Sequence, residues 1–130
     1  SKVYVLTGDG ECMEGSIWEA ILFSSHYKLD NLTLIIDNND LITLGKISEI
    51  TNLYPFDKKL ESFGWATVTV NGHNINDIIS ALKSPHPGKP MAIIAKTIKG
   101  KGISYMENKL EWHGKCPTKE QYELALNELT

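Results

Sequence analysis

The run VYVLTGDGECMEG, residues 3–15, joins an apolar block to a glycine-flanked aspartate and then to a helix start. Val3 to Thr7 reads as a buried strand, because an uninterrupted apolar run is what a strand covered on both faces requires. Gly8-Asp9-Gly10 then stands at the strand tip. Glycines there let the backbone come close to a ligand, and a carboxylate can face a hard cation. Taken alone, an Asp-Gly pair after a strand is most often an ordinary turn. Glu11 and Glu14 follow at once, and carboxylates so close together repel unless a cation or water separates them.

LTLIID (32–37) and MAIIAK (91–96) are further continuous apolar strands, while ATVTV (66–70) alternates and is expected to be less fully covered. Helices are predicted between them. In 15–29, Ile17, Trp18, Ile21 and Leu22 form one stripe, and Ser16 with Glu19 fits a capping box. Residues 57–63 form a short helix closed by Gly64. Asn74 caps 75–83, where Ile75, Ile78, Ile79 and Leu82 recur at helical spacing. Thr118 with Gln121 starts 118–129, which is expected to bury Tyr122, Ala125, Leu126 and Leu129.

Strand–helix–strand repetition implies right-handed crossovers and an α/β fold, a parallel sheet with flanking helices. Ligands gather at the carboxyl ends of such strands. Thr7 to Gly10, Asp37 to Leu41, Asn71 to His73 and Lys96 onward are therefore expected along one rim. The segments 84–90 and 99–117 are the long irregular ones, and the second has the length of a functional loop.

The composition bounds the function. The chain has 130 residues, 42% hydrophobic and 22% charged, which is one domain with a modest core. Thirteen basic against sixteen acidic residues give a net charge of −3 with no basic stripe, so no nucleic-acid partner is expected. No apolar run has membrane-spanning length, and no membrane association or signal peptide is expected. Cys12 and Cys116 form neither a disulfide framework nor a zinc pattern, which points to a reducing cytoplasm. A central parallel strand seldom opens an α/β domain. Sequence is therefore expected to precede Ser1, or a partner to supply it.

The second strand ends in Asp37-Asn38-Asn39-Asp40, which also reads as a polar turn. Yet two oxygen-rich strand ends on one rim, thirty residues apart from Asp9 to Asn39, can meet at one magnesium ion. GDG followed after that interval by NN resembles the thiamine-diphosphate binding pattern. The surroundings GDGECMEGSIWEA, HYKLDNLTLIIDNN, KTIKGKG and MENKLEWHGK resemble the transketolase family, in the N-terminal subunit of its two-chain form. The similarity runs over nearly the whole chain.

That resemblance implies a thiamine-diphosphate-binding fold, here a single partial pyrophosphate-type domain over 1–130 with its N-terminal part missing. It implies Mg2+ held by Asp9, Asn39 and the backbone carbonyl of Leu41, with Gly8 and Gly10 approaching the diphosphate and Asp37 lining the cofactor pocket. Asp37 reads equally as a strand-end cap. Glu14 resembles an interface glutamate that meets a second copy and couples protons across it, with Glu19 nearby. His113 of WHG resembles a histidine that reaches diphosphate and substrate. The pyrimidine-binding half is absent, so a C-terminal subunit or domain is an expected partner. The implied reaction is two-carbon ketol transfer between sugar phosphates, with no activity expected of the 130-residue chain alone. One departure is Leu44 before Gly45, where the family often carries an acid.

The residues have plainer readings as well. A diphosphate brings about three negative charges, so one carboxylate and one amide on its metal balance it better than three carboxylates would. Glu11 and Glu14 are accordingly not both ligands, and Glu11 reads as a solvated turn residue. Glu14 also suits a helix N-terminus simply as an acid. His113 in a long loop reads as exposed or packed, or as a phosphate contact. His73 belongs to a turn; His26 and His86 read as structural or exposed. Lys99 and Lys101 fit either phosphate attraction or a solvated turn. Trp18, Trp65 and Trp112 read as core anchors. A haloacid-dehalogenase-type phosphatase also uses GDG but needs a D-x-D nucleophile motif, and none occurs. A non-catalytic α/β module is the remaining alternative.

Overall fold

In a computed structural model that describes residues 1–130, four parallel strands form one sheet in the order β1-β2-β6-β5. These are β1 (Val3–Gly8), β2 (Leu32–Asn38), β5 (Ala66–Asn71) and β6 (Met91–Lys96). A small antiparallel hairpin, β3 (Leu41–Ile42) with β4 (Gly45–Lys46), follows β2. The helices are α1 (Gly15–His26), α2 (Ile47–Ile50), α3 (Phe56–Ser62), α4 (Ile75–Leu82) and α5 (Lys119–Leu129). The expected α/β architecture is present. No helix is long and apolar enough to cross a membrane.

Two cores follow from strand alternation. On one face Leu34, Ile36, Ala92 and Ile94 pack with Ile21 of α1 and Phe56 and Leu60 of α3. Trp65 is buried there and its indole N–H donates to the Ile21 carbonyl at 2.9 Å. On the other face Met91 and Ile93 meet Ala81 of α4. Trp18 and Trp112 likewise donate to main-chain carbonyls, of Cys12 at 2.8 Å and Tyr105 at 3.0 Å. Trp65 is the core anchor and Trp18 packs half-buried against the same core, whereas Trp112 lies outside both cores, half-buried against Tyr105.

Several expectations are corrected. β6 is covered on both faces, with Met91 to Ala95 all buried, but β1 is an edge strand. Val3, Tyr4, Val5 and Leu6 are 40–70% exposed. Leu6 pairs in register with Ile35, on the face where α4 lies over β5 and β6 but does not extend to β1. In α1, Ile17, Trp18 and Ile21 face the core as expected, but Leu22 is exposed and Ser24 is buried. Ser16 does not cap that helix. The chain enters from a 3₁₀ turn at Glu11–Met13, so Glu14 occupies the cap position and Ser16 falls inside the first turn. The helix closes at His26 rather than residue 29, because Lys28 turns left-handed and Leu29 N–H folds back to the Ser24 carbonyl. In α5 the Thr118–Gln121 capping box is present, but only Ala125 is buried; Tyr122, Leu126 and Leu129 are exposed. Asn74 caps α4 as expected, accepting from Asn76 and Asp77.

Candidate functional site

The carboxyl ends of β1 and β2 lie side by side, Gly8 opposite Asp37 in register. Asp9 N–H donates to the Asp37 carbonyl at 3.0 Å, which ties the two strand tips together. Between them opens a cleft of about 470 Å³ lined by Gly8, Asp9, Gly10, Glu14, Asp37, Asn39, Leu41 and His113, together with Glu11, Ile42, Thr43 and Lys99. Gly8, Asp9, Gly10, Glu14, Asp37, Asn39, Leu41 and His113 therefore border one cleft, whereas Glu19 and Lys101 do not. Leu44 stands at the hairpin tip, 81% exposed and off the cleft, so its departure from the family pattern leaves the lining intact.

Asp9 is the fixed point. It is 2% exposed, and its Oδ2 accepts from Asn38 Nδ2 at 2.9 Å and from the Asp40 N–H at 2.6 Å. No protein donor engages its Oδ1. Asp40 sits at φ 63°, a left-handed conformation that aspartate tolerates, and this turn aims its N–H back at Asp9. Asn39 Oδ1 accepts the Leu41 N–H at 3.0 Å, a local Asx turn that keeps one amide lone pair available. No group of three His, Cys, Asp or Glu side chains forms a metal cage. A cation here would rest on mixed oxygen donors: one carboxylate, one amide and a carbonyl. That set suits a hard ion such as magnesium.

Behind Asp9 lies an arrangement with no clear signature in the sequence. Asn38, 3% exposed, donates through Nδ2 to Asp9 and also to the Tyr54 hydroxyl at 2.7 Å. Its Oδ1 accepts from the Lys96 ammonium, which also lies 4.9 Å from the Tyr54 ring centroid. The amide orientation is thus fixed at both ends. Burial pushes the Tyr54 hydroxyl up to about 12. Burial also raises the Asp40 carboxyl, but hydrogen bonds from the Ser48 hydroxyl and N–H outweigh it and hold the group below its ordinary value. The place of Asn38 in the NN pair and the rim position of Lys96 are the hints in the sequence, and Tyr54 carries none.

Electrostatics favour a cation. Asp9, Glu11, Glu14 and Asp37 place four carboxylates on the cleft against one ammonium, Lys99. Glu11 is more than a solvated turn residue, since its Oε2 accepts the Gly8 N–H at 2.6 Å. Glu14 is exposed at the start of α1. Asp37 Oδ1 accepts from the Thr97 hydroxyl, so it serves as strand-end cap and cleft wall together. Residues 99–117 fold as linked turns, closed by Asn108 N–H to the Lys99 carbonyl at 2.9 Å and by the Tyr105 hydroxyl to the Gln121 carbonyl at 2.7 Å. They bring Lys99 and His113 to the same cleft from opposite ends of the loop. Asn71 to His73 share the rim but not the cleft.

The family model for the transketolase thiamine diphosphate binding domain matches residues 1–128. One of the subunits of the apulose-4-phosphate transketolase from Actinobacillus succinogenes is 49% identical over 98% of this chain and 47% of its own length. Human transketolase is 43% identical over 98% of this chain and 20% of its own. The crystal structure of transketolase from Campylobacter jejuni superimposes with a TM-score of 0.89 at 33% identity, over 98% of this chain and 20% of that one. The chain spans about half the length, or less, of these relatives.

Proposed function

The chain belongs to the transketolase family, as part of its thiamine-diphosphate-binding domain, and on that premise we propose that its cleft holds the magnesium–diphosphate end of thiamine diphosphate. The observation that carries this reading is the Asp9 carboxylate. It is buried and tethered through Oδ2, with Oδ1 free, on a cleft shared with Asn39 and Leu41. Asp9, the Asn39 amide and the Leu41 carbonyl would hold Mg2+. Gly8 and Gly10 let the backbone approach the diphosphate, Lys99 offsets its charge, and Asp37 walls the pocket. Bound thiamine diphosphate supplies carbanion stabilisation for moving a two-carbon ketol unit between sugar phosphates. His113, on the cleft wall, is placed to hydrogen-bond phosphate or substrate.

This chain provides one wall of that site. A pyrimidine-binding subunit or domain would provide the other, a reading supported by the relative that is named as one subunit of a transketolase. A second copy would meet it through Glu14, whose exposed carboxylate is free for such a contact. Cys12 and Cys116, both free thiols, suit a reducing cytoplasm. The test is calorimetric titration of thiamine diphosphate with Mg2+ into the full-length protein, with and without its pyrimidine-binding partner. Saturable binding that requires the partner is expected. Absence of binding in every combination would leave a non-catalytic module.

A further inference from the structure

Lys99 reaches the cleft from a short turn that leaves β6, and that turn is gripped from two sides. From β2, the Asn38 carbonyl accepts the Thr97 N–H at 3.2 Å and Asp37 accepts the Thr97 hydroxyl. From the opposite edge, His73 Nε2 accepts the Ile98 N–H at 2.8 Å. His73 lies on the β5–α4 turn and does not border the cleft.

The β5–α4 turn is itself held firmly. The Gly72 N–H donates to the Lys96 carbonyl at 2.8 Å, and the His73 N–H donates to Asn71 Oδ1 at 3.0 Å. A Cβ at Gly72 would stand 2.5 Å from Thr97 Cγ2 and 3.1 Å from the Lys96 carbonyl oxygen, so the turn is pressed against the end of β6. Directly beyond Lys99, Gly100 adopts φ +74°. Gly100 is packed against the Met106 backbone and the Lys99 carbonyl accepts the Asn108 N–H at 2.9 Å, so the far side of Lys99 is anchored in the loop while its near side depends on the 97–98 turn; a lysine on a four-carbon stem holds its direction only if its backbone is fixed.

We propose that His73 is a positioning residue that, through its bond to the Ile98 N–H, holds the 97–99 turn so that Lys99 faces the anion end of the cleft. The inference rests on the magnesium–diphosphate reading above. An imidazole accepts only through an unprotonated nitrogen, so the interaction requires the neutral ring with its proton on Nδ1. A glutamine places an acceptor oxygen at similar reach, whereas leucine offers none.

The experiment uses the full-length protein assembled with its pyrimidine-binding partner, as wild type, His73→Leu, His73→Gln, Lys99→Met and the His73→Leu/Lys99→Met double variant. Thiamine diphosphate is titrated at saturating Mg2+, and hydrogen exchange of the Ile98 amide is followed in parallel. His73→Leu is expected to weaken cofactor affinity about 3- to 10-fold, the scale of one net hydrogen bond. It should leave kcat at saturating cofactor little changed and should speed Ile98 exchange. His73→Gln should restore both properties. In the Lys99→Met background His73→Leu should add less than about 2-fold, because the two residues act in series. Unchanged affinity in His73→Leu, the same loss in both backgrounds, or failure of glutamine to rescue would overturn the proposal. If the wild type binds no thiamine diphosphate, the functional reading fails instead; Ile98 exchange then still tests whether His73 grips the turn.

Discussion

Asn38 Nδ2 stands 2.9 Å from Asp9 Oδ2, and this contact fixes which oxygen of the cleft's buried carboxylate faces outward. Asn38 is 3% exposed and satisfied on both ends of its amide. Asn38→Leu keeps much of the volume but strands Asp9 and Lys96, and should destabilise the fold by about 1–3 kcal/mol. Asn38→Asp should cost more at neutral pH, because a second buried carboxylate would lie beside Asp9. Urea unfolding of the two variants checks the order.

Tyr54 gives a pH signature. Its hydroxyl accepts from Asn38, and burial raises its pKa to about 12. The folded state therefore keeps a proton that the unfolded chain releases near pH 10. Stability from this group is intact below pH 10 and is lost as pH rises toward 12. Tyr54→Phe retains the ring against Phe56 and Lys96 but should lose about 1 kcal/mol at neutral pH. It should also remove the latest tyrosinate transition in an absorbance titration.

Cys12 and Cys116 should separate cleanly with a thiol reagent. Cys12 is 1% exposed, and burial pushes its thiol up to about 11, whereas Cys116 is exposed. At pH 8 labelling of Cys116 should be at least ~100-fold faster, with Cys12 reacting only on opening of the fold. The raised thiol also means that stability falls as pH climbs from about 9 to 11.

Two glycines should respond oppositely to alanine. A Cβ at Gly10 would lie 2.5 Å from Ile42 Cγ2, whereas at Gly15 nothing lies within 4 Å. Gly10→Ala should displace the hairpin wall of the cleft, lose about 1–3 kcal/mol and weaken cofactor binding. Gly15→Ala, in the first turn of α1, should be neutral or stabilise by up to about 1 kcal/mol. Thermal unfolding reads both.

Chemistry is more legible in the sequence than coverage. The apolar runs 32–37 and 91–96 predict the central strands, and GDG with DNND predicts adjacent oxygen-rich tips, because strand propensity and motif spacing are local. Apolar periodicity tells which residues favour burial but not what covers them. For that reason Tyr4 and Leu6 on β1 and Tyr122, Leu126 and Leu129 on α5 are expected inside and stand exposed. On α1 Ser24 can be buried because its hydroxyl is satisfied on the Ala20 carbonyl at 2.7 Å, which apolar periodicity does not register. The support behind Asp9 is hidden because Asn38, Tyr54 and Lys96 meet only through tertiary contact.

Asp9 is proposed to hold the metal that carries the diphosphate. The direct measurement is thiamine diphosphate affinity of the assembled full-length protein with Mg2+ and with chelator, in wild type and Asp9→Asn. The wild type should bind tightly only with the cation. Asp9→Asn, nearly isosteric, should fold yet lose at least ~100-fold in Mg2+-dependent affinity, the scale of removing a paired charge. Equal, Mg2+-dependent affinity in both proteins would contradict the assignment.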